Sequence, residues 1–236
     1  MGPRFLFALL GLGLVRGDPY GVSVGIAGRD FCVVAADATF RRGSVLMSGD
    51  HDKVALLDDF CVLAATGDAG EADEFCGSMR LALRSYKLRC NSPPTPAEAH
   101  HLARRKLIGL RKERRQMPKL NLLLGAFDPR ANEASLYWLD GTGASHQLGY
   151  GAHGVGSALI LGHLDRAFDP ELTKAEALGL VRDALQLLHR RYSSSTTSGF
   201  VIKIVDRDGA LPRPLRRRTV EKGATIDFRD GPTLAR

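Results

Sequence analysis

One stretch of the chain combines glycines and a histidine in a spacing that some phosphate-binding loops use. The residues "GYGAHG" (Gly149–Gly154) match GxGxxG, and a helical pattern follows them. A dinucleotide fingerprint also needs a βαβ unit and an acidic residue at the end of the next strand. The next acidic residues, Asp165 and Asp169, belong to the predicted helix and to its end. We therefore interpret the glycines as tight-turn residues and place His153 in a loop, without a carboxylate that supports it as a base.

The other clusters of reactive side chains lack the partners that their chemistry requires. His100 and His101 are adjacent and would point to different faces of a helix, which disfavours joint metal binding. The run "SSSTTS" (Ser193–Ser198) has no general base nearby in the sequence and reads as a loop. The cysteines form no CxxC pair, and each lies in an apolar pattern that predicts a reduced, buried thiol. The four cysteines are Cys32, Cys61, Cys76 and Cys90. The sequence thus predicts neither a metal nor a cofactor.

A basic segment of the chain could contact an acidic partner. Its cationic residues are Arg104, Arg105, Lys106, Arg111, Lys112, Arg114, Arg115 and Lys119. The formal net charge of the whole chain is +7, so nucleic acid is one candidate partner. The segment contains no aromatic residue on which bases could stack. A helix face turned towards solvent or a protein partner is therefore favoured over a nucleic-acid site.

The apolar patterns predict the order strands, helix pair, strands, helix pair, strand. The predicted strands cover residues 21–28, 31–37, 53–58, 60–66, 120–128, 133–140 and 199–206. Capping signals start helices after Asp68, Thr95 and Thr173, and a further helix covers 156–167. Paired helices exclude a doubly wound βαβ sheet. Two sheets packed face to face, with a helix pair outside each, would bury all these runs, so we predict an α+β fold.

The two ends of the chain differ from its body. "MGPR" followed by "FLFALLGLGLV" (Phe5–Val15) has the charged-then-apolar form of a signal peptide, and a short leader ahead of the domain is the alternative. No run reaches the roughly 18 apolar residues that a membrane span needs. The polar and basic chain after Leu215 is expected to be partly disordered. We predict a leader or N-terminal extension at 1–20, one domain at 21–215 and a basic tail at 216–236.

Several stretches, in this order and spacing, resemble the β subunits of the 20S proteasome. The carrying segments are "VVAAD" (Val33–Asp37), "DKV" (Asp52–Val54), "TGDAGEADEF" (Thr66–Phe75), "NLLLGAFD" (Asn121–Asp128), "SLYWLD" (Ser135–Asp140), "YGAHGVGSALILGHLDR" (Tyr150–Arg166) and "FVIKIVD" (Phe200–Asp206). The resemblance covers residues 21–206. It is strongest to the non-catalytic β4-position branch, also called beta type-2.

This resemblance implies a fold, a setting and a role. The fold is the four-layer αββα sandwich of the N-terminal-nucleophile hydrolases. The role is to complete the β ring and line the proteolytic chamber for ATP-dependent, ubiquitin-linked protein degradation. The implied partners are the other α and β subunits of a 28-subunit particle. Neither nucleic acid, a membrane nor a cofactor is implied, and the expected location is the cytoplasm and nucleus.

Catalytic members of that family use an N-terminal threonine, which a cleavage step uncovers, with its own α-amine as base. A lysine lowers the pKa of the hydroxyl, and an aspartate holds the lysine. Alignment on "VVAAD" places the aspartate at Asp37, the lysine at Lys53 and the nucleophile at Gly21. Glycine has no side chain that could attack a carbonyl, so the resemblance implies a subunit without a nucleophile.

Two further family positions also depart from the catalytic pattern. The expected aspartate corresponds to Tyr192, and the expected serine corresponds to Val155. Ser23 cannot substitute, because its hydroxyl would lie two residues from an amine released before Gly21. We therefore expect no catalytic residue, and interpret Asp37 and Lys53 as vestigial residues that form a buried ion pair. The alternative is an active N-terminal-nucleophile threonine or serine hydrolase with unusual processing.

Overall fold

A computed structural model describes residues 21–42, 45–191, 199–211 and 225–226. The strands are β1 (Val22–Ala27), β2 (Phe31–Asp37), β3 (Phe40–Arg42), β4 (Val45–Ser48), β5 (Val54–Asp58), β6 (Cys61–Gly67), β7 (Leu120–Asp128), β8 (Glu133–Asp140), β9 (Ser145–Leu148), β10 (Tyr150–Gly154), β11 (Phe200–Asp206), β12 (Gly209–Leu211) and β13 (Thr225–Ile226). The helices are α1 (Ala69–Cys90), α2 (Pro96–Arg114), α3 (Ser157–Ala167) and α4 (Lys174–Arg191).

Some of the predictions concern residues outside these ranges. They are the leader at 1–20, Tyr192, the loop at 193–198 and the tail after Leu215, apart from the two residues of β13. The predicted segment boundaries at 20 and 215 therefore stay predictions.

The strands form two antiparallel sheets and one separate hairpin. The first sheet has the order β10-β1-β2-β11-β12, with β13 also paired to β11. The second sheet has the order β5-β6-β7-β8-β9. Strands β3 and β4 pair only with each other among the described strands.

Three clusters of buried apolar residues hold the sheets and helices together. Helices α1 and α2 cover the second sheet, where Met79 and Leu122 belong to one buried cluster. Helices α3 and α4 cover the first sheet, where Val33 and Val181 belong to another. The third cluster lies between the sheets and includes Cys32, Val34, Ala36, Val62 and Leu123. This arrangement confirms the predicted four-layer αββα sandwich.

Helices α1 and α2 begin directly after the capping residues that the sequence predicts, Asp68 and Thr95. Asp68 Oδ1 accepts a hydrogen bond from the Glu71 amide at 3.1 Å and caps α1. Thr95 and Glu98 form a reciprocal capping box at the start of α2, with Pro96 as its first residue. Such side chains satisfy amides that the first helical turn leaves unpaired.

The prediction that every cysteine is buried is wrong for Cys90, which is exposed. Cys90 is the last residue of α1, and Lys87, one turn earlier, already contacts Asp59 in the turn that follows β5. Residue 90 therefore lies past the end of the sheet that covers the earlier turns. Helical periodicity identifies the buried face of a helix but not the point where the covering layer ends.

The interpretation of "GYGAHG" as tight-turn residues is also wrong. Residues 150–154 form β10, which pairs along its whole length with β1, from Val22↔Gly154 to Ile26↔Tyr150. His153 therefore lies in a strand and not in a loop. At Gly149 the chain passes from β9 in the second sheet to β10 in the first. Because its side chains are small, this stretch lacks the bulky or β-branched residues that usually indicate a strand. The strand forms through pairing with β1, more than a hundred residues away.

No helix in the described parts of the chain is long and apolar enough to cross a membrane.

Candidate functional site

The residue aligned with the nucleophile lies at the buried start of β1. Gly21 is buried, and the next amide, that of Val22, donates a hydrogen bond to Asp37 Oδ1 at 2.7 Å. On its other side, β10 ends at Gly154, whose backbone φ is +93°. A Cβ atom at Gly154 would lie 1.8 Å from the Gly21 carbonyl oxygen. Backbone packing therefore fixes position 21 closely, and Gly21 has no side chain to act there.

The aligned aspartate and lysine, Asp37 and Lys53, form the predicted buried ion pair. Lys53 Nζ lies 2.8 Å from Asp37 Oδ2, and the two side chains are 7% and 0% exposed, respectively. Asp37 is the last residue of β2, and Lys53 directly precedes β5, so the pair joins the two sheets. Asp37 also accepts hydrogen bonds from the Thr39 amide at 3.2 Å and from the Thr39 hydroxyl. Both carboxylate oxygens are thus bound to groups of the chain itself.

A second ion pair, between Lys203 and Asp52, lies beside the first and was not predicted from the sequence. Lys203 Nζ lies 2.6 Å from Asp52 Oδ2 and also donates to the Val54 carbonyl oxygen. Lys203 is largely buried on β11. The available signal was a lysine in the middle of the apolar strand "FVIKIVD", where an unpaired charge would be costly. Adjacent residues, Asp52 and Lys53, thus bind two different strands of the first sheet.

Two further residues weighed in the sequence, Val155 and Ser23, lie within the described ranges. Val155 lies between β10 and α3 and packs its apolar side chain against the α3–α4 core. Ser23 is fully buried, and its Oγ has no hydrogen-bond partner within the described residues. A new N-terminus at Ser23 would also remove Val22, a core residue whose amide binds Asp37.

The histidine of the glycine-rich stretch is enclosed between the sheets. The His153 ring stacks on Trp138 with centroids 4.6 Å apart, and its Nε2 lies 3.2 Å from the Leu122 carbonyl oxygen. Burial lowers the pKa of His153 from 6.5 to about 4, although the carbonyls of Leu122 and Leu139 oppose this shift. The ring is therefore neutral at pH 7, and Nε2 carries the proton donated to Leu122. It acts as part of the core.

The depressed pKa of His153 predicts a loss of stability in mild acid. The unfolded chain takes up a proton below about pH 6.5, whereas the folded chain resists it until about pH 4. Stability is therefore complete above pH 6.5 and falls as the pH approaches 4. We expect the free energy of unfolding to drop by roughly 2 kcal/mol between pH 7 and pH 5 through this residue. Urea denaturation at both pH values measures the drop.

The matched controls are two histidine substitutions. His153→Gln should remove most of this pH dependence, whereas His146→Gln, at an exposed position of β9, should keep it. A wild-type drop that survives His153→Gln unchanged would assign the effect to other groups.

Three arginines of α2 bind other groups of the chain. Arg104 Nε donates to the Gly143 carbonyl at 3.0 Å, and Arg111 Nη1 donates to the Thr142 carbonyl at 3.2 Å. Arg114 binds Glu74 of α1 at 2.6 Å. These contacts fasten α2 to the turn after β8 and to α1. One guanidinium donor of Arg104 and one of Arg111 are therefore bound to this turn, which favours a structural role of both side chains over a phosphate-binding one.

The two adjacent histidines of α2 have different surroundings, as their spacing predicts. His100 stacks on Tyr137 with centroids 4.3 Å apart, whereas His101 lines a surface groove between α1 and α2. Across the described residues, no group of three or more His, Cys, Asp or Glu side chains is arranged to hold a metal ion.

The fold and this site match one protein family. The family model described as "Proteasome subunit" matches residues 21–205. The chain is 33% identical to "Proteasome subunit beta type-2" of Oryza sativa subsp. japonica, over 79% of this chain and 86% of that protein. It is 33% identical to "Proteasome subunit beta type-2-A" of Arabidopsis thaliana, over 79% of this chain and 89% of that protein. It is 28% identical to "Proteasome subunit beta type-4" of Saccharomyces cerevisiae, over 80% and 94%.

The chain therefore belongs to the proteasome subunit family. The relatives it resembles carry the names beta type-2 and beta type-4, which agrees with the resemblance found in the sequence.

Proposed function

We propose that this chain is a non-catalytic structural β subunit of the 20S proteasome core particle. Its role is to complete the β ring and to line the chamber in which ubiquitin-linked substrates are degraded. The observation that carries this proposal is the residue at the nucleophile position, Gly21, at the buried start of β1. The similarity to beta type-2 and beta type-4 subunits supports the placement in the ring.

The aspartate and lysine keep a structural purpose in such a subunit. In a catalytic site the lysine charge would lower the pKa of a nearby hydroxyl. In this chain Asp37 binds the Val22 amide, the Thr39 amide and Lys53 at the same time. The carboxylate thus holds the start of β1, the chain after β2 and the start of β5 in one arrangement, whether or not a nucleophile is present.

The alternative, an active hydrolase that begins at Ser23, has less support. That hydroxyl is fully buried in the sandwich, and a substrate carbonyl would have to displace core residues to reach it. Cleavage before Ser23 would also remove the Val22 amide from Asp37.

The proposed partners are the other α and β subunits of a 28-subunit stacked-ring particle. The proposed location is the cytoplasm and nucleus, where such a particle acts on ubiquitin-linked substrates. Three buried cysteines that form no disulfide are compatible with a reducing compartment.

Purification through this chain tests the proposal. A cleavable affinity tag on the C-terminus, followed by native mass spectrometry, should recover the chain within a 28-subunit particle. A second preparation, tagged on a known β subunit, should contain this chain in whole-number stoichiometry. Recovery of the chain only as a free monomer in both preparations would overturn the proposal.

A further inference from the structure

The groove between α1 and α2 combines half-buried apolar groups with exposed cations. Its volume is about 570 Å³, which lies within the range of ligand pockets. The last turns of α1 form one wall, and the first half of α2 forms the other. We call this feature the α1–α2 groove. Its lining residues are Tyr86, Arg89, Cys90, Ala97, Glu98, His101, Leu102 and Arg105.

The exposed cations of the groove have no acidic partner among the described residues. None of the ion pairs found there includes Arg89, His101 or Arg105. Arg89 Nε donates to a carbonyl of its own helix at 3.3 Å, which leaves the other guanidinium donors available. At the opposite end of the same helix pair, Arg114 of α2 binds two glutamates of α1. The helix pair therefore neutralises its arginine charge at one end only.

The single carboxylate that lines the groove, that of Glu98, is already bound. It accepts hydrogen bonds from the Tyr86 hydroxyl, from the Thr95 amide at 2.7 Å and from the Thr95 hydroxyl at 2.9 Å. The hydrogen bond from Tyr86 lowers the pKa of Glu98, so this carboxylate is ionised at pH 7. One glutamate stands against two arginines, and the lining keeps a positive charge. The bound hydroxyl also fixes the Tyr86 ring, which lines the groove together with Leu102.

We propose that the α1–α2 groove binds an acidic segment of a partner protein. The carboxylates of that segment pair with Arg89 and Arg105, because arginine and carboxylate can form two parallel hydrogen bonds. An apolar side chain of the segment packs beside Tyr86 and Leu102 and leaves water. The groove offers one tyrosine and no row of aromatic rings on which successive bases could stack, which favours a protein over a nucleic acid. The proposal does not depend on the proposed function.

Alkylation of Cys90 tests the proposal on the full chain. Cys90 lines the groove and is the only exposed cysteine, since the other three are buried. Neutral iodoacetamide therefore reports on this position in the folded chain. The probe is the capped peptide Glu-Glu-Leu-Glu-Glu. At about 1 mM peptide and about 50 mM salt, we expect alkylation to slow about twofold or more, which corresponds to a Kd of about 1 mM or lower. Intact mass spectrometry measures the rate.

Matched variants and probes separate the groove from general charge effects. Arg89→Gln with Arg105→Gln should abolish the protection, whereas Arg166→Gln with Arg182→Gln, on α3 and α4, should retain it. All four arginines are exposed, so these changes leave the core intact. A peptide with serine in place of leucine should protect more weakly, and one with lysines in place of glutamates should not protect.

Three results would overturn the proposal. The first is an alkylation rate that the acidic peptide leaves unchanged. The second is equal protection of the wild-type chain and of the Arg89→Gln, Arg105→Gln variant, which would place the bound peptide elsewhere. The third is protection by a short oligothymidylate that matches protection by the peptide, which would assign the groove to nucleic acid.

Discussion

Replacement of Asp37 by alanine is expected to lower the free energy of unfolding by about 3–5 kcal/mol. The substitution leaves the Lys53 ammonium, which is 7% exposed, beside an alanine in place of a carboxylate. It also removes the acceptor for two backbone amides, those of Val22 and Thr39. Urea denaturation of the purified chain at pH 7 measures the loss. The loss of the carboxylate beside a buried ammonium accounts for most of it, because the desolvation of that charge is then no longer offset by the ion pair with Asp37.

Two comparison variants separate the buried charge from general damage. Asp37→Asn combined with Lys53→Met removes both charges at similar volume and should lose much less stability than Asp37→Ala. Asp58→Ala breaks the pair with Lys87, a partly exposed side chain, and should lose no more than about 1 kcal/mol. Losses of equal size for Asp37→Ala and Asp58→Ala would show that burial does not set the strength of the first pair.

Replacement of Gly154 by alanine is expected to lower the free energy of unfolding by about 3 kcal/mol or more. The backbone φ of +93° is unfavourable for any residue with a side chain. The added Cβ would also lie 1.8 Å from the Gly21 carbonyl oxygen, so β1 and β10 would have to separate. Thermal and urea denaturation measure the loss, and hydrogen exchange of the β1 amides locates it.

Gly151→Ala is the matched control in the same strand. A Cβ at Gly151 would meet side-chain atoms of Leu123, Leu148 and Trp138 at 3.5–3.6 Å, which is ordinary contact distance. We expect it to change the free energy of unfolding by less than about 1 kcal/mol. Similar losses at both glycines would contradict the role assigned to the backbone contact between Gly154 and Gly21.

The elements with strong local signals could be predicted from the sequence. Thr95 and Glu98 fixed the start of α2, and the strands 120–128 and 133–140 have the bounds that their apolar runs indicated. Paired helices between groups of strands were enough to predict the four layers. These signals lie within a few residues of the elements that they specify, so no tertiary information was needed.

The elements that depend on distant partners could not be predicted. Strand β10 carries two glycines among its five residues and becomes a strand only because β1 pairs along its whole length. Strand β4, with Val45, Leu46 and Met47 exposed, has no buried face whose alternation would reveal it. Strand propensity depends on such neighbours more than on the residues themselves.

The residues of the site were predicted only in part, and those that were predicted came from the family resemblance and not from local patterns. Asp37, Lys53 and Gly21 came from the resemblance to a known family, and the geometry of the ion pair agrees with it. The pair of Asp52 and Lys203 joins residues 151 positions apart, and no local pattern relates them. The enclosure of His153 between the sheets could not be inferred from the sequence, because the glycines around it indicate a turn and not a strand.

The most direct test of a non-catalytic subunit is covalent labelling of the assembled particle. A particle purified through this chain is treated with an electrophilic peptide probe that reacts with N-terminal nucleophiles, and the intact mass of every subunit is measured. We predict that this chain stays unlabelled while at least one other β subunit takes up the probe. A labelled form of this chain whose mature N-terminus is Ser23 would contradict the assignment and establish an active hydrolase.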